Sequence, residues 1–404
     1  MTRTAKTKSS LGLVASLTAI AGAYPVAAQD KVHVIGSALY APGHNFADSI
    51  MAYGESVTEA SDGNIDFEWF FGDALAKPPE MPDSLADGIV NIGYVTPAYS
   101  PADFTIDGWV SLMGYGNDPR PVVGLLSAGA AMMEFGFTEP GIVDELKAKG
   151  VYPLIPRFQS WDNYQLLCKE PVESLADAKG KRVRVGGAAF IRVADALGMS
   201  PVSLSGAEIY EGLDRGVVDC FIGGEGDMIG LGLWEIASHY TALGLPGWNS
   251  TAIGMGEEFF EGLSDDDKSA FIDNLAAYVE AYFSTYLTNQ YRYFKEGAEQ
   301  HGLVVHEPDA EFQAAIRDYY AGIDEVLVTE APSVVPNAAE SVERFKALQE
   351  KWTKIVLDLG LAPEQETRVD WVAANPDGVS VDISPWVEAV KTEIFNKYLP
   401  LENQ

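Results

Sequence analysis

The chain has 404 residues, of which 47% are hydrophobic and 11% aromatic, values typical of a globular protein large enough for two domains. Its formal net charge is −32 at pH 7, because 59 acidic residues outnumber 27 lysines and arginines. This acidity argues against nucleic acid and anionic membrane surfaces as binding partners.

The first residues have the pattern of an export signal. Basic residues at Arg3, Lys6 and Lys8 precede an apolar stretch over 11–23 that is too short to span a bilayer as a helix. Small side chains then lead to a cleavage site near Ala28. We predict a cleaved signal peptide, with an uncleaved membrane anchor as the alternative, and an exported mature chain that is not inserted in a membrane.

An α/β pattern begins after this signal. Predicted strands over 31–38, 65–71 and 89–95 alternate with predicted helices over 46–60 and 83–88. Buried strands that alternate with helices are typical of α/β domains.

The two cysteines, Cys168 and Cys220, fall in predicted strands of one region. In an oxidising compartment they can pair as a disulfide, and the alternative is that both are buried thiols that pack as small hydrophobic groups. Neither has a second cysteine or a histidine close by in the sequence, so we predict no metal site here.

The segment over 175–219 carries the most information about function. Its strand over 181–185 runs into a glycine turn, and a helix, a second strand and a second helix follow. Ligands of open α/β sheets bind beyond the carboxyl ends of strands. Arg184 lies near such an end, and its always-charged, bidentate guanidinium is suited to a carboxylate or a similar oxyanion. This position makes Arg184 a candidate anion-binding residue, and the alternative is an exposed arginine at the end of a strand; the motif that surrounds it favours the binding role.

Many residues of this unit stand at the spacing of a known family. They are Gly180, Lys181, Arg184, Val185, Leu197, Gly198, Pro201, Val202, Glu208, Tyr210, Leu213, Gly216 and Asp219. The pattern resembles the substrate-binding proteins of TRAP transporters, the DctP-like family. A second part of the family's pattern is matched by Gly72, Leu75, Leu85, Gly88 and Asn91.

The resemblance implies an α/β protein with the two-lobed architecture of periplasmic binding proteins. Its mixed sheets would carry helices on both faces, and one long helix would span both lobes. The chain after Ser264 has neither proline nor glycine until Gly297, which fits a helix of about 50 Å. The predicted boundaries are 1–28 for the signal peptide, 29–157 with about 247–285 for lobe I, 158–246 with about 286–345 for lobe II, and 346–404 for a C-terminal helical extension.

The resemblance also implies a function. Such a protein captures a small organic anion in a cleft between its lobes, needs no cofactor, and delivers the anion in the periplasm to the membrane permease subunits of a TRAP transporter. The sequence has no Gly-x-Ser-x-Gly elbow, no His-Glu-x-x-His pair and no Walker A loop, which argues against an enzyme. The alternatives are an exported enzyme on the same scaffold and a ligand sensor or adaptor.

Candidate ligand contacts surround the predicted cleft. Tyr164 stands where many family members carry a second arginine, and Glu225 follows a position at which many carry an asparagine. A site with one arginine and flat aromatic rings suits a ligand with a single anionic end, so we expect a monocarboxylate, a zwitterion or a small sulfonate before a dicarboxylate. The predicted ligand-binding residues are Arg184, Tyr40, His44, Tyr94, Arg157, Trp161, Asn163, Tyr164, Glu225 and Asn249.

Overall fold

The computed structural model describes residues 1–2, 31–159, 163–247 and 250–400. The body of the predicted signal peptide and the candidate residues Trp161 and Asn249 lie outside the described residues, and Asn163 is described by its backbone alone. The strands are β1 Val32–Ala38, β2 Ile65–Phe71, β3 Ile92–Val95, β4 Val151–Gln159, β5 Asn163–Cys168, β6 Arg182–Val185, β7 Ser200–Ser203, β8 Cys220–Gly223, β9 His239–Pro246, β10 Ser250–Gly256 and β11 Val304–His306.

Helices connect and cover these strands. They are α1 Asn45–Ala60, α2 Met81–Ala86, α3 Thr105–Val110, α4 Val123–Thr138, α5 Pro140–Lys147, α6 Leu175–Ala178, α7 Ala188–Ala196, α8 Ile209–Asp214, α9 Glu225–Gly230, α10 Glu257–Glu261, α11 Asp265–Asp273, α12 Leu275–Gln300, α13 Ala310–Ala321, α14 Ile323–Thr329, α15 Ala338–Asp358, α16 Arg368–Ala374, α17 Ser384–Val390 and α18 Asn396–Tyr398. A π-helical turn over Lys391–Phe395 joins the last two.

The strands form two mixed sheets, which confirms the predicted fold class. In the first sheet, of order β2-β1-β3-β10-β4, β1 is parallel to β2 and β3 whereas β10 is antiparallel to β3 and β4. In the second, of order β11-β9-β5-β8-β6-β7, β6 is parallel to β7 and β8 whereas β5 is antiparallel to β8 and β9. The chain leaves the first sheet after β4 and returns to it at β10. We call the layers built on these sheets lobe I and lobe II.

The predicted long helix is present and reaches both lobes. Asn274 interrupts it between α11 and α12, and α12, with 26 residues, is about 39 Å long. In lobe I the Tyr278 hydroxyl lies 3.2 Å from that of Tyr94 on β3. In lobe II the Tyr286 hydroxyl donates a hydrogen bond to Glu225 on α9. The aromatic side chains of α12 are therefore core contacts of both lobes.

The C-terminal segment, by which we mean α15 and the chain after it (residues 338–400), packs back on the lobes. Helix α15 lies against α4 of lobe I, where the buried Glu134 carboxylate accepts hydrogen bonds from Trp352 Nε1 at 2.7 Å and Lys351 Nζ at 2.8 Å. Helix α17 lies against α12, and its Trp386 ring meets Phe283 edge to face. The segment is thus held by buried aromatic rings.

Cys168 and Cys220 form a disulfide, which decides between the two alternatives that the sequence left open. The two residues face each other on the antiparallel strands β5 and β8 of lobe II. Because they are separated by 52 residues, the bond closes a long loop that would otherwise be free in the unfolded chain.

Replacement of both Cys168 and Cys220 by alanine is expected to lower the free energy of unfolding by about 2–4 kcal/mol, because the unfolded chain regains conformational freedom. Urea denaturation followed by tryptophan fluorescence measures this change. Reduction of the disulfide in the unaltered protein should likewise lower the urea concentration at the midpoint of unfolding. An identical midpoint for the oxidised protein and the double variant would contradict the expectation.

Candidate functional site

Arg184 lies near the carboxyl end of β6 with 3% of its surface exposed. Its Nε donates a hydrogen bond to the Leu204 carbonyl oxygen at 3.1 Å, and its Nη2 donates to the Tyr99 hydroxyl at 3.3 Å. The guanidinium also lies 5.5 Å from the ring centroid of Phe221 on β8. Leu204 and Phe221 belong to lobe II whereas Tyr99 follows β3 of lobe I, so the guanidinium lies where the lobes meet.

Two tyrosines of lobe I approach this junction. Tyr40 follows β1 and Tyr99 ends a turn after β3, at the carboxyl edge of these parallel strands. A Cβ atom on Gly206 of lobe II would lie 2.4 Å from the Tyr40 hydroxyl, so the glycine lets the ring approach. Burial raises the pKa of both phenols, and the Arg184 guanidinium offsets part of that rise. Both rings are therefore neutral hydrogen-bonding groups at physiological pH.

A histidine and an aspartate join the lobes beside these rings. His44 caps α1 by accepting from the Phe46 amide, and its ring stacks on Tyr40 with centroids 3.9 Å apart. The His44 Nε2 atom lies 3.3 Å from Oδ1 of Asp227 on α9, and neither side chain is more than 4% exposed. A Cβ atom on Gly230 would lie 2.3 Å from the His44 ring, so the glycine allows this approach of α9.

Tyr164 lies on β5 and is buried, with its ring stacked on Phe190 of α7 at a centroid distance of 4.8 Å. Burial raises the pKa of its phenol well above the usual value, Asp227 raises it further, and Arg184 lowers it. Tyr164 is thus within electrostatic reach of both charged groups. We use the term junction cluster for these interlobe residues: Tyr40, His44, Tyr99, Tyr164, Arg184 and Asp227.

The reasoning from sequence missed Tyr99 and Asp227. Two further polar side chains, Asn45 at the start of α1 and Thr96 after β3, are buried and have atoms with no hydrogen-bond partner among the described residues. A buried polar group without a partner costs about 1–3 kcal/mol, so both are candidates for contacts with a bound ligand. In the sequence, Asn45 and Thr96 could be recognised as polar residues that directly follow a turn or a buried strand.

Three predicted ligand contacts have partners inside a lobe. Arg157 forms a buried ion pair with Asp107, and burial lowers the pKa of its guanidinium. The Tyr94 hydroxyl donates to the backbone of α1 at 2.7 Å. The Glu225 carboxylate accepts from the Tyr240 hydroxyl, also at 2.7 Å. All three side chains thus already have ion-pair or hydrogen-bond partners within the protein. A role for them in ligand binding stays a prediction.

Within the described ranges, we find no helix with both the length and the apolar character that crossing a membrane requires. In the same part of the chain, no group of three or more histidine, cysteine, aspartate or glutamate side chains is arranged to hold a metal ion.

Comparison with known proteins assigns the family. The family model described as bacterial extracellular solute-binding protein, family 7 (DctP) matches residues 37–324. The chain belongs to this family. The resemblance inferred from the spacing around Arg184 is thereby confirmed, and residues 325–404 lie beyond the matched region of this DctP family member.

Two curated relatives match parts of the chain. The ectoine-binding periplasmic protein TeaA of Halomonas elongata is 31% identical over 108 residues, which are 26% of this chain and 30% of that protein. The uncharacterized protein YiiZ of Salmonella typhimurium is 26% identical over 211 residues, which are 48% of this chain and 57% of that protein. The chain therefore matches less than two thirds of the length of either relative.

Solved structures show the same fold over most of the chain. A TRAP periplasmic solute-binding protein of Bordetella bronchiseptica with bound mandelate has a TM-score of 0.66 at 22% identity and covers 79% of this chain and 99% of that one. The ectoine-binding protein of the Halomonas elongata TeaABC transporter has a TM-score of 0.65 at 18% identity, with coverage of 79% and 99%. These likenesses support the two-lobed architecture of the family.

Proposed function

We propose that this DctP family member captures a small organic anion between its lobes and delivers it to the membrane permease subunits of a TRAP transporter. The observation that carries the proposal is the buried guanidinium of Arg184, which belongs to lobe II and contacts Tyr99 of lobe I. A buried charge is stabilised by an opposite charge, and a ligand carboxylate supplies one in bidentate geometry.

The ligand class follows from the charges of the junction cluster. Arg184 supplies one buried cation and Asp227 one acid, while the other nearby groups are hydrogen-bonding or aromatic. We propose a monocarboxylate or a zwitterion, whose carboxylate meets Arg184 and whose donor or cationic end lies toward Asp227. Mandelate, pyroglutamate and ectoine are named as ligands of structurally similar proteins, and all three are small molecules of this kind.

Ligand binding would favour a closed arrangement of the lobes. A ligand that contacts Arg184 of lobe II and Tyr40 of lobe I gains both sets of contacts only when the lobes are together, which shifts the equilibrium toward closure. We propose that the closed form, in the periplasm, is the form that the permease recognises. We propose that the hinge lies where the chain crosses between the lobes, close to the predicted boundaries 157/158 and 246/247.

A thermal-shift screen of the full mature chain tests the proposal. The panel contains mandelate, pyroglutamate, ectoine, a small sulfonate and, as matched dianions, succinate and malate. We expect a monoanion or zwitterion to raise the melting temperature and to bind with micromolar or better affinity by calorimetry. Tight binding of succinate or malate alone would contradict the ligand class.

The same samples separate binding from catalysis. Mass spectrometry of the bound compound after prolonged incubation should recover it unchanged. Conversion of the compound at a rate proportional to protein concentration would instead favour an exported enzyme on this scaffold.

A further inference from the structure

Helix α9 carries two carboxylates with different surroundings. Asp227 meets His44 of lobe I at the junction cluster, whereas Glu225 lies beside Tyr240 and Tyr286 of lobe II. Residues two positions apart on an α-helix point in nearly opposite directions, because each residue turns the helix by about 100°. Whatever holds Glu225 therefore also sets where this short helix presents Asp227.

Glu225 is wholly buried, with 0% of its surface exposed. Its two carboxylate oxygens accept hydrogen bonds from the hydroxyls of Tyr240 at 2.7 Å and Tyr286 at 3.1 Å. Nε of Arg368 lies 3.5 Å from the oxygen that Tyr240 contacts. Because an ionised carboxylate is costly to bury without a cation, the Arg368 guanidinium stabilises this arrangement.

Arg368 comes from the C-terminal segment, beyond the region that matches the DctP family. It begins α16, which is fixed on α12 at two points. The Trp371 ring meets the Tyr291 ring edge to face at 6.3 Å, and the Tyr291 hydroxyl donates to the Asn375 carbonyl at 2.7 Å. The segment thereby brings the Arg368 side chain, which is 11% exposed, to Glu225 at the start of α9.

We propose that Arg368 is a positioning residue for the interlobe cleft: by holding Glu225, it fixes α9 so that Asp227 meets His44 across the junction. The C-terminal segment thus controls how firmly the lobes meet. The significance for ligand capture rests on the proposed function, but the contact itself is a property of the chain and is measured without a ligand.

Hydrogen–deuterium exchange of the full mature chain, with no ligand added, tests the proposal. In lobe I the Phe46 amide donates to His44 Nδ1 and the Asp48 amide donates to the His44 carbonyl, so both amides report on this histidine. Arg368→Met is expected to raise exchange about tenfold in α9 and at these two amides on the other lobe, because local opening becomes less costly. Arg368→Lys, which keeps the charge, should restore most of the protection.

Arg344→Met is the matched control. Arg344 also belongs to the C-terminal segment and also pairs with a buried glutamate, Glu139, but that glutamate lies in lobe I between α4 and α5. The control should lower the melting temperature without raising exchange in α9. A double variant with Arg368→Met and Glu225→Gln should regain protection relative to Arg368→Met, because a neutral amide needs no cation.

Two outcomes would overturn the proposal. One is that Arg368→Met raises exchange only over 366–376, which would make Arg368 a local anchor of its own helix. The other is that Arg344→Met raises exchange at Phe46 and Asp48 as much as Arg368→Met does, which would make the effect one of general stability. Failure to find a ligand in the thermal-shift screen would count against the proposed function and leave this result intact.

Discussion

Replacement of Arg184 by alanine is expected to weaken ligand binding by at least 100-fold, which corresponds to about 3 kcal/mol or more. The physical reason is that the carboxylate would be buried at the junction cluster without its paired charge, while Tyr99 offers only a neutral hydroxyl. Calorimetry with the compound identified in the screen measures the loss. Lysine at this position should recover only part of the affinity, because an ammonium cannot form the bidentate contact.

Arg182 supplies the control for this experiment. It lies two residues earlier on the same strand, but its side chain is 47% exposed and pairs with Asp219 at the surface. An exposed ion pair contributes about 0–1 kcal/mol to stability, so Arg182→Ala should leave both folding and ligand affinity nearly unchanged. Affinity of Arg184→Ala within a few-fold of the unaltered protein would remove Arg184 as the anchor of the ligand.

Replacement of Trp352 by alanine is expected to lower the free energy of unfolding by about 5 kcal/mol. Trp352 is fully buried between α15 and α4, so its removal leaves a large cavity, and tryptophan-to-alanine changes in cores cost about 3–5 kcal/mol. Its Nε1 also donates to the buried Glu134 carboxylate at 2.7 Å, and a hydrogen bond to a charged group adds about 1.5–3 kcal/mol. Urea denaturation gives the change in unfolding free energy directly.

Two further variants separate the contributions at this position. Trp352→Phe keeps most of the ring packing and removes the donor, so it should cost about 1.5–3 kcal/mol. Leu357 lies on the same helix with 39% of its surface exposed, and Leu357→Ala should cost less than about 1 kcal/mol. A loss below about 1 kcal/mol for Trp352→Ala as well as for Leu357→Ala would show that α15 contributes little to the folded state.

Together these results would define what the C-terminal segment does. Its α15 contacts lobe I through Glu134, and its α16 reaches lobe II through Arg368 and Glu225. A segment with buried contacts in both lobes adds to the stability of each, and any relative motion of the lobes has to accommodate it. The variants of Trp352 test the contact with lobe I, and the variants of Arg368 test the contact with lobe II.

The fold class could be predicted because its signals are local. Alternating apolar strands and helices, glycine turns and the uninterrupted stretch after Ser264 all report on neighbouring residues. The interruption of the long helix at Asn274 was missed, since no proline or glycine marks it. The sequence leaves the pairing of Cys168 with Cys220 open, because it depends on which strands become neighbours in the sheet.

The candidate site was predictable in part for the same reason. Arg184 stands beside a strand end that the spacing of its own unit identifies, and Tyr40 and His44 follow a strand in the same way. Arg157, on β4, has no such motif around it, and its partner Asp107 comes from α3 and engages its charge inside lobe I. Only the tertiary structure reveals this pairing, because the two residues lie 50 positions apart in the chain.

By itself, the sequence determined the family, the alternation of strands and helices, and the charge at the end of β6, because each depends on the spacing of residues that are close together in the sequence. The tertiary structure alone decided that Asp227 meets His44, that Tyr99 contacts Arg184, and that the C-terminal segment brings Arg368 to Glu225. These contacts join residues from different lobes or distant parts of the chain, and burial energies that depend on the whole fold select them.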